Sequence, residues 1–437
     1  MPSILIASCP IHGHVTPLLA VTRHLIARGH RVRFLTGARY RDAVESAGAD
    51  FLPLPAEADF DDSDMDAAFP EGVGLTGVAG IRYDIGTIFV RPMRAHLRAL
   101  DAAIAAEKTD AVLVESLFIG AVPLLTRPRG ERPAVINLGI VPLGITSRDT
   151  APFGLGIPPM RGPIGHLRNR ALTFVARHII FGGVQKQAAR LVREATGAKL
   201  QTFFMDAASR ADAIVQFSVP GFEYPRSDLP TPVHFVGPVS RTAPSDAHLP
   251  DWWHELDGSR PVVHVTQGTI ANRDYDDLIA PTMAGLADAD VLVVVSTGGR
   301  DVSTLGPLPA NVRASAYLPY DELLKRTDVF VSNGGYGGVH YALEHGVPIV
   351  VAGTTEEKIE VSARIAWSGV GINLATNRPT AQQVREGVLA VIAEPRYRRA
   401  SERIGAEIAA APGLAGLESA IDETLQRTQT VPAGPMT

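Results

Sequence analysis

A single cysteine, Cys9, in a chain of 437 residues rules out an internal disulfide and leaves too few thiolates for a structural zinc site, which fits a reducing cytoplasm. Basic residues are not in excess either. A formal charge of -5 offers no cationic footprint of the kind that neutralising nucleic-acid phosphates requires, which argues against nucleic acid as a partner. No run reaches the roughly 18 uninterrupted apolar residues of a bilayer span, so stable membrane insertion is not expected. The nearest approach, Ala171 to Val184, is broken by Arg177 and His178. It reads as an amphipathic helix in preference to a membrane-surface segment or a grip on a greasy acceptor. Met1 leads into no basic n-region but directly into Ser3-Ile4-Leu5-Ile6-Ala7, with His12 and His14 just beyond, as a buried strand would and a signal peptide would not.

What is present is ordinary globular material, with 46% hydrophobic and 20% charged residues. The length suits two cores of roughly 150 to 220 residues and a cleft between them. The first 50 residues read as β-α-β: an apolar strand, a turn at Gly13, a helix opening at Thr16-Pro17, then Gly29 and a strand at Val32 to Leu35. Thr16 is placed to cap that helix and Pro17 to fill its first turn, with Leu18, Val21, Leu25 and Ile26 on one face. Continuous apolar strands are expected again at Ala111 to Val114 and Ala134 to Leu138, as in a doubly wound parallel sheet. Met160 to Val192 reads as a mostly helical, Arg-rich excursion of the same domain.

Pro220 to Pro250 is crowded with Pro, Ser and Asp, including Ala243-Pro244-Ser245-Asp246, and reads as a linker. Beyond it the alternation restarts, with strands expected at Val262 to Thr266, Val291 to Ser296, Val329 to Ser332 and Ile349 to Ala352. The expected organisation is α/β throughout: a first Rossmann-like domain over 1–218, a linker over 219–250, a second Rossmann-like domain over 251–428 whose last helix can pack back on the first, and a flexible tail over 429–437.

Cys9-Pro10-Ile11-His12-Gly13-His14-Val15-Thr16-Pro17 puts an imidazole at the carboxyl end of a strand just before a helix, facing the expected cleft. Such a group can take a proton from an attacking hydroxyl; the plainer reading is a helix-capping histidine. Glu115 closes the strand after Val114 and would emerge on the same sheet edge, where a carboxylate can orient and stabilise an imidazolium; the plainer reading is a polar residue that ends a strand. In the second half, Thr266-Gln267-Gly268-Thr269 and Ser332-Asn333-Gly334-Gly335-Tyr336-Gly337-Gly338 each follow a strand. Glycine-rich turns of this kind expose backbone N–H groups at a helix start and hold diphosphates. Asp59-Phe60-Asp61-Asp62-Ser63-Asp64-Met65-Asp66 looks like a cation cluster but lacks the turn Gly and terminal Glu of an EF-hand loop. It reads as a solvated acidic loop near the acceptor, and no metal ligands are assigned.

Taken in order, Gly13-His14-Val15-Thr16-Pro17, Arg28-Gly29-His30, Phe235-Val236-Gly237-Pro238, Gln267-Gly268-Thr269 and Asn333-Gly334-Gly335 through Gly346-Val347-Pro348 resemble the bacterial members of glycosyltransferase family 1 over nearly the whole chain. The resemblance implies the GT-B fold, two Rossmann-like domains facing a cleft, and inverting transfer from a UDP- or dTDP-linked sugar to a hydroxyl of a phenol, flavonoid or polyketide. It implies no metal and no cofactor beyond the donor co-substrate. His14 then occupies the base position and Glu115 that of the family's aspartate. Tyr317-Leu318-Pro319 fills the place of the aromatic that stacks on the pyrimidine, Gly268 and Thr269 the second-domain loop at the diphosphate, and Gly337-Gly338 the phosphate turn. Several positions depart from the pattern: Tyr320 replaces the usual Gln, Asn333 a phosphate-binding His, Tyr341 a ribose-binding Glu, and Glu357-Lys358 the sugar-reading Asp-Gln pair. His12 and Phe118, with the stretches Phe69 to Tyr83 and Ile140 to Met160, are expected on the acceptor side. Two other readings stay open, a nucleotide-sugar epimerase of the same fold and a non-catalytic nucleotide-sugar binding protein. A homodimer is left open as well.

Overall fold

The structure is a computed structural model that describes residues 1–75, 77–239, 249–269 and 272–429. Among these, seven strands form one parallel sheet: β1 (Ser3–Ala7), β2 (Arg31–Thr36), β3 (Asp50–Pro53), β4 (Ala111–Glu115), β5 (Ala134–Gly139), β6 (Ala213–Gln216) and β7 (Val233–Phe235). Six form a second: β8 (Val262–Thr266), β9 (Leu292–Ser296), β10 (Val312–Ser315), β11 (Val329–Ser332), β12 (Ile349–Val351) and β13 (Gly371–Asn373). The orders are β3-β2-β1-β4-β5-β6-β7 and β10-β9-β8-β11-β12-β13. Each sheet therefore starts in its middle, winds one way, then reverses. The reversals lie between β1 and β4 and between β8 and β11, where strand carboxyl ends open into a crevice.

The apolar runs become strands because both sheet faces are covered. Leu5, Ala7, Val112 and Val114 enter one core, while Ile4, Ile6, Ala111 and Leu113 enter the core on the opposite face. The last helix, Gly413–Gln429, packs on the first domain, with Leu417, Ala420 and Ile421 beside Ile4 and Leu18. It continues through Gln429, inside the expected tail; residues 430–437 lie outside the described residues.

Two expectations need correction. The first helix spans His12–Ala27 with Ile11, not Thr16, at its N-cap, and Pro17 lies inside it. So early in a helix the missing proline N–H forfeits one bond, to the Gly13 carbonyl, and the helix tolerates it. The consequence is that His14 sits in the first turn. The stretch read as a linker is also partly built into the two domains: Val233–Phe235 is edge strand β7 of the first sheet, while Phe222 and Tyr224 are buried against the second domain, Phe222 beside Phe330 and His340 and Tyr224 beside Arg364 and Trp367. Pro230 and Pro232 precede an edge strand, where the ladder hydrogen bond that proline lacks is not needed. Ala243-Pro244-Ser245-Asp246 lies outside the described residues.

Candidate active site

β1 and β4 flank the first reversal in register, with Ala7 opposite Val114, so the residues that follow them emerge side by side. His14 Nδ1 lies 3.1 Å from Glu115 Oε1, and the carboxylate is buried. Glu115 is held from several sides: its oxygens accept the Leu117 N–H at 2.6 Å and the Cys9 N–H at 3.3 Å. Burial alone would raise its pKa, but the His14 charge and these hydrogen bonds prevail and keep it below the ordinary carboxylate range. For His14, burial acts to lower the imidazole; the Glu115 charge and hydrogen bond outweigh it, with Glu357 and Glu356 adding to them, and the group ends above its ordinary value. The Phe89 ring stacks near the imidazole at 6.1 Å between centroids. Cys9 is buried, and burial with the adjacent Glu115 pushes its thiol well up, which keeps it protonated and unreactive.

Across the cleft, β8 and β11 flank the second reversal with Thr266 opposite Ser332. The Asn333 amide donates to the Gln267 carbonyl at 2.8 Å and pins the two turns together. Gly268 and Gly334 take left-handed φ of 76° and 89°, which the reversals of direction require. The helix Tyr336–Glu344 starts earlier than its apolar residues suggest, so Gly337 and Gly338 lie in its first turn, where N–H groups lack intrahelical partners. A Cβ added to Gly268, Gly335, Gly337 or Gly338 would meet no atom within 4 Å, so these glycines face open space. Thr269 is exposed beside them.

Glu357 stands at the N-cap and Lys358 opens the helix Lys358–Ser368, and the Glu357 carboxylate acts electrostatically on His14 of the first domain. Burial, then Glu356, raises the Glu357 carboxyl, and the pull of His14 is felt there. Lys358 is not the solvated surface residue that its charge would suggest. Its ammonium pairs with Glu356 at 2.5 Å, its side chain is only 13% exposed, and Glu356 holds its pKa up against the burial that opposes it. Asp84 joins the same group, raised by burial and by Glu356. Asp84 and Glu356 carried no sequence signal, since neither stands in a motif. On this helix Val361 and Ile365 enter the core, Ala366 is exposed, and the charged Glu360 and Arg364 are buried beside them.

Tyr317 is 64% exposed and lies against Gly299, where an added Cβ would fall 2.3 Å from the tyrosine hydroxyl. Leu318 beside it is buried in a cluster with Trp253 and Leu292, so its side chain offers no contact to a ligand. Phe118 is likewise withdrawn: it is 2% exposed and stacks on buried His96 at 4.3 Å. Tyr341 is engaged with Asp321 through its hydroxyl. The His12 N–H donates to Asp62 at 2.6 Å, and the His12 ring lies near the Thr16 hydroxyl. The acidic loop is less solvated than expected. Asp62 is buried and also accepts from Tyr40 and Arg39, and Arg39 reaches Asp61 as well.

Two facing parallel sheets, each with its ligand-prone reversal turned to a common cleft, define the two-domain GT-B architecture. The calicheamicin glycosyltransferase CalG4 has this fold at a TM-score of 0.73 and 22% identity, over the whole of both chains. Residues 280–421 match the family described as erythromycin biosynthesis protein CIII-like, C-terminal domain, and residues 4–85 match the glycosyltransferase family 28 N-terminal domain. The chain is 41% identical to 4'-demethylrebeccamycin synthase of Lentzea aerocolonigenes over 93% of its own length and 96% of that protein. It is 38% identical to UDP-glycosyltransferase 2 of Phaeomoniella chlamydospora over 97% of its own length and 95% of the other. The protein belongs to the glycosyltransferase family of these relatives and is a glycosyltransferase enzyme. No helix among the described residues is long and apolar enough to cross a membrane.

Proposed function

We propose that the protein is an inverting, metal-independent glycosyltransferase of the family 1 type that moves a sugar from a UDP- or dTDP-linked donor to a hydroxyl of a phenolic, flavonoid or polyketide acceptor. The observation that carries this reading is the buried His14–Glu115 pair at 3.1 Å on the edge of the first sheet that faces the glycine turns of the second. With Nδ1 directed to Glu115, the other ring nitrogen of His14 is left for the acceptor. The acceptor hydroxyl gives its proton to His14 as its oxygen bonds to the anomeric carbon. The bond from that carbon to the phosphate oxygen breaks on the opposite face, the nucleotide diphosphate leaves with the electron pair, and an α-linked donor yields a β-glycoside. Glu115 stabilises the imidazolium, and the N–H groups around Gly268 and Gly337 take up the charge of the leaving diphosphate. Tyr317 offers an exposed ring for the nucleobase, and Glu357 an acceptor for sugar hydroxyls.

UDP- and dTDP-sugars incubated with pooled phenols and macrolides in the presence of a chelator, with products read by mass spectrometry, test the proposal. A product heavier than an acceptor by one sugar residue is expected. Donor scrambled at C2 without acceptor would favour the epimerase, and donor binding without turnover would favour a binding protein.

A further inference from the structure

Between the two domains lies a buried charged chain that the proposed chemistry does not use. Glu360, in the first turn of the helix Lys358–Ser368, is 4% exposed. Its Oε1 accepts the N–H of Gly154 at 2.9 Å and of Gly156 at 3.0 Å, both from the first domain. Its Oε2 accepts from Arg364 at 2.8 Å. Arg364, 1% exposed, in turn donates through Nε to Glu223 at 3.0 Å, and Glu223 accepts the Leu143 N–H at 3.2 Å and the Tyr336 hydroxyl at 2.9 Å. Two amides on one buried carboxylate make a strong, charge-assisted hold, and leaving those amides unpaired inside the protein would be costly.

The loop is shaped for this contact. Gly154 and Gly156 take φ of 94° and 60°, and a Cβ on Gly156 would come within 2.7 Å of Ile359 Cγ1 and 3.1 Å of the Ile359 carbonyl. The backbone of the first-domain loop thus rests directly on the second-domain helix. That helix is the one that opens with Glu357 and Lys358, so a single turn joins the proposed sugar-reading residues to a loop on the acceptor side of the cleft.

We infer that Glu360 is a positioning residue through which the donor-side domain shapes the acceptor site, holding the loop around Gly154 to Gly156 in place from across the cleft. This rests on the two-substrate reading above. Acceptor recognition is then a property of both domains together, and the acceptor loop is ordered where the sugar-reading helix is docked.

Glu360→Gln keeps the size of the side chain, but the amide can satisfy either the two glycine N–H groups or Arg364, not both. Gly156→Ala disturbs the same contact from the loop side, leaving the carboxylate intact, and stands in if Glu360→Gln fails to fold. Both variants are expected to raise the acceptor KM about tenfold with donor KM changed less than twofold, and to speed amide hydrogen exchange in the peptide that spans Gly154 and Gly156. Unchanged acceptor KM and exchange, or donor and acceptor KM rising together, would overturn the assignment. Exchange is read without turnover, so it decides the contact even if the parent transfers no sugar to any acceptor offered.

Discussion

The side-chain amide of Asn333 spans 2.8 Å to the backbone carbonyl of Gln267, so the turn after β11 is tied to the turn after β8 by a residue that stands where the resembling family has a phosphate-binding histidine. The amide is committed to the protein's own backbone. Asn333→Ala should let the Gly268 and Gly334 turns drift apart and weaken nucleotide diphosphate binding by about 1 kcal/mol, the usual net value of one hydrogen bond. Calorimetry with UDP and dTDP measures this, and an unchanged affinity would show that the turns hold their shape without the tie.

His14→Ala should lower turnover by about 10² to 10⁴, the usual contribution of a general base, while nucleotide binding survives. Activity within a few-fold of the parent would remove His14 from the mechanism.

Glu115→Gln keeps the shape and removes the charge that now holds the imidazole above its ordinary value of 6.5. The base works unprotonated, so the parent should lose kcat/KM as pH falls through a value above 6.5. In the variant burial acts unopposed by that carboxylate, and the acid limb should move to lower pH, with a smaller loss of turnover than in His14→Ala. A limb that stays in place would reduce Glu115 to a residue that ends a strand.

Lys358→Gln would leave Glu356 and Glu357 without the Lys358 ammonium, beside Asp84, which Glu356 also acts on. The added negative charge should oppose an anionic donor, and donor affinity should weaken by about 1 to 3 kcal/mol, the range for a hydrogen bond to a charged group. Equal calorimetric affinities would confine Lys358 to its pair with Glu356.

Burial lowers three histidines outside the proposed chemistry, His96, His264 and His340, each to about 4. They fold neutral, whereas the unfolded chain takes up protons below about 6.5. Stability is therefore whole above that value and is lost as pH falls toward 4. Near pH 5 each should contribute a loss of roughly 2 kcal/mol. Denaturant unfolding at neutral pH and near pH 5 measures the loss, and His264→Phe, a ring already packed on Phe330, should reduce it. Equal midpoints at the two pH values would contradict the neutral, buried assignment.

Much of the fold was legible because a strand in a covered parallel sheet is buried on both faces and must be apolar along its length. β8 and β11 run over Val262–Thr266 and Val329–Ser332, the spans their apolar runs mark out. The same alternation pointed to a doubly wound sheet with His14 and Glu115 on one edge; that β1 and β4 are neighbours, so that the two side chains meet, is a finding of the structure. The glycines of the second domain were legible too, since open backbone beside a helix start admits few other residues.

Side-chain direction was not. Leu318 stands next to exposed Tyr317, and Phe118 three residues after Glu115, yet both turn into the core, because a position in a motif does not say which way the packing leaves room. Local chemistry also misplaced the start of the first helix, where Thr16-Pro17 looks like a cap but lies one turn inside. The sequence by itself determined the two alternating α/β units and which chemical groups stand at their strand ends, since period and turn chemistry act over a few residues. Only the tertiary structure decided that Lys358 meets Glu356, that Asp84 joins them, and that Glu360 holds Gly154 and Gly156 from the opposite domain. The Asp84 and Glu360 contacts join segments far apart in the chain, and the Lys358–Glu356 pair, though local, is buried only once the two domains pack, so burial and charge select them only after the two sheets have been brought together.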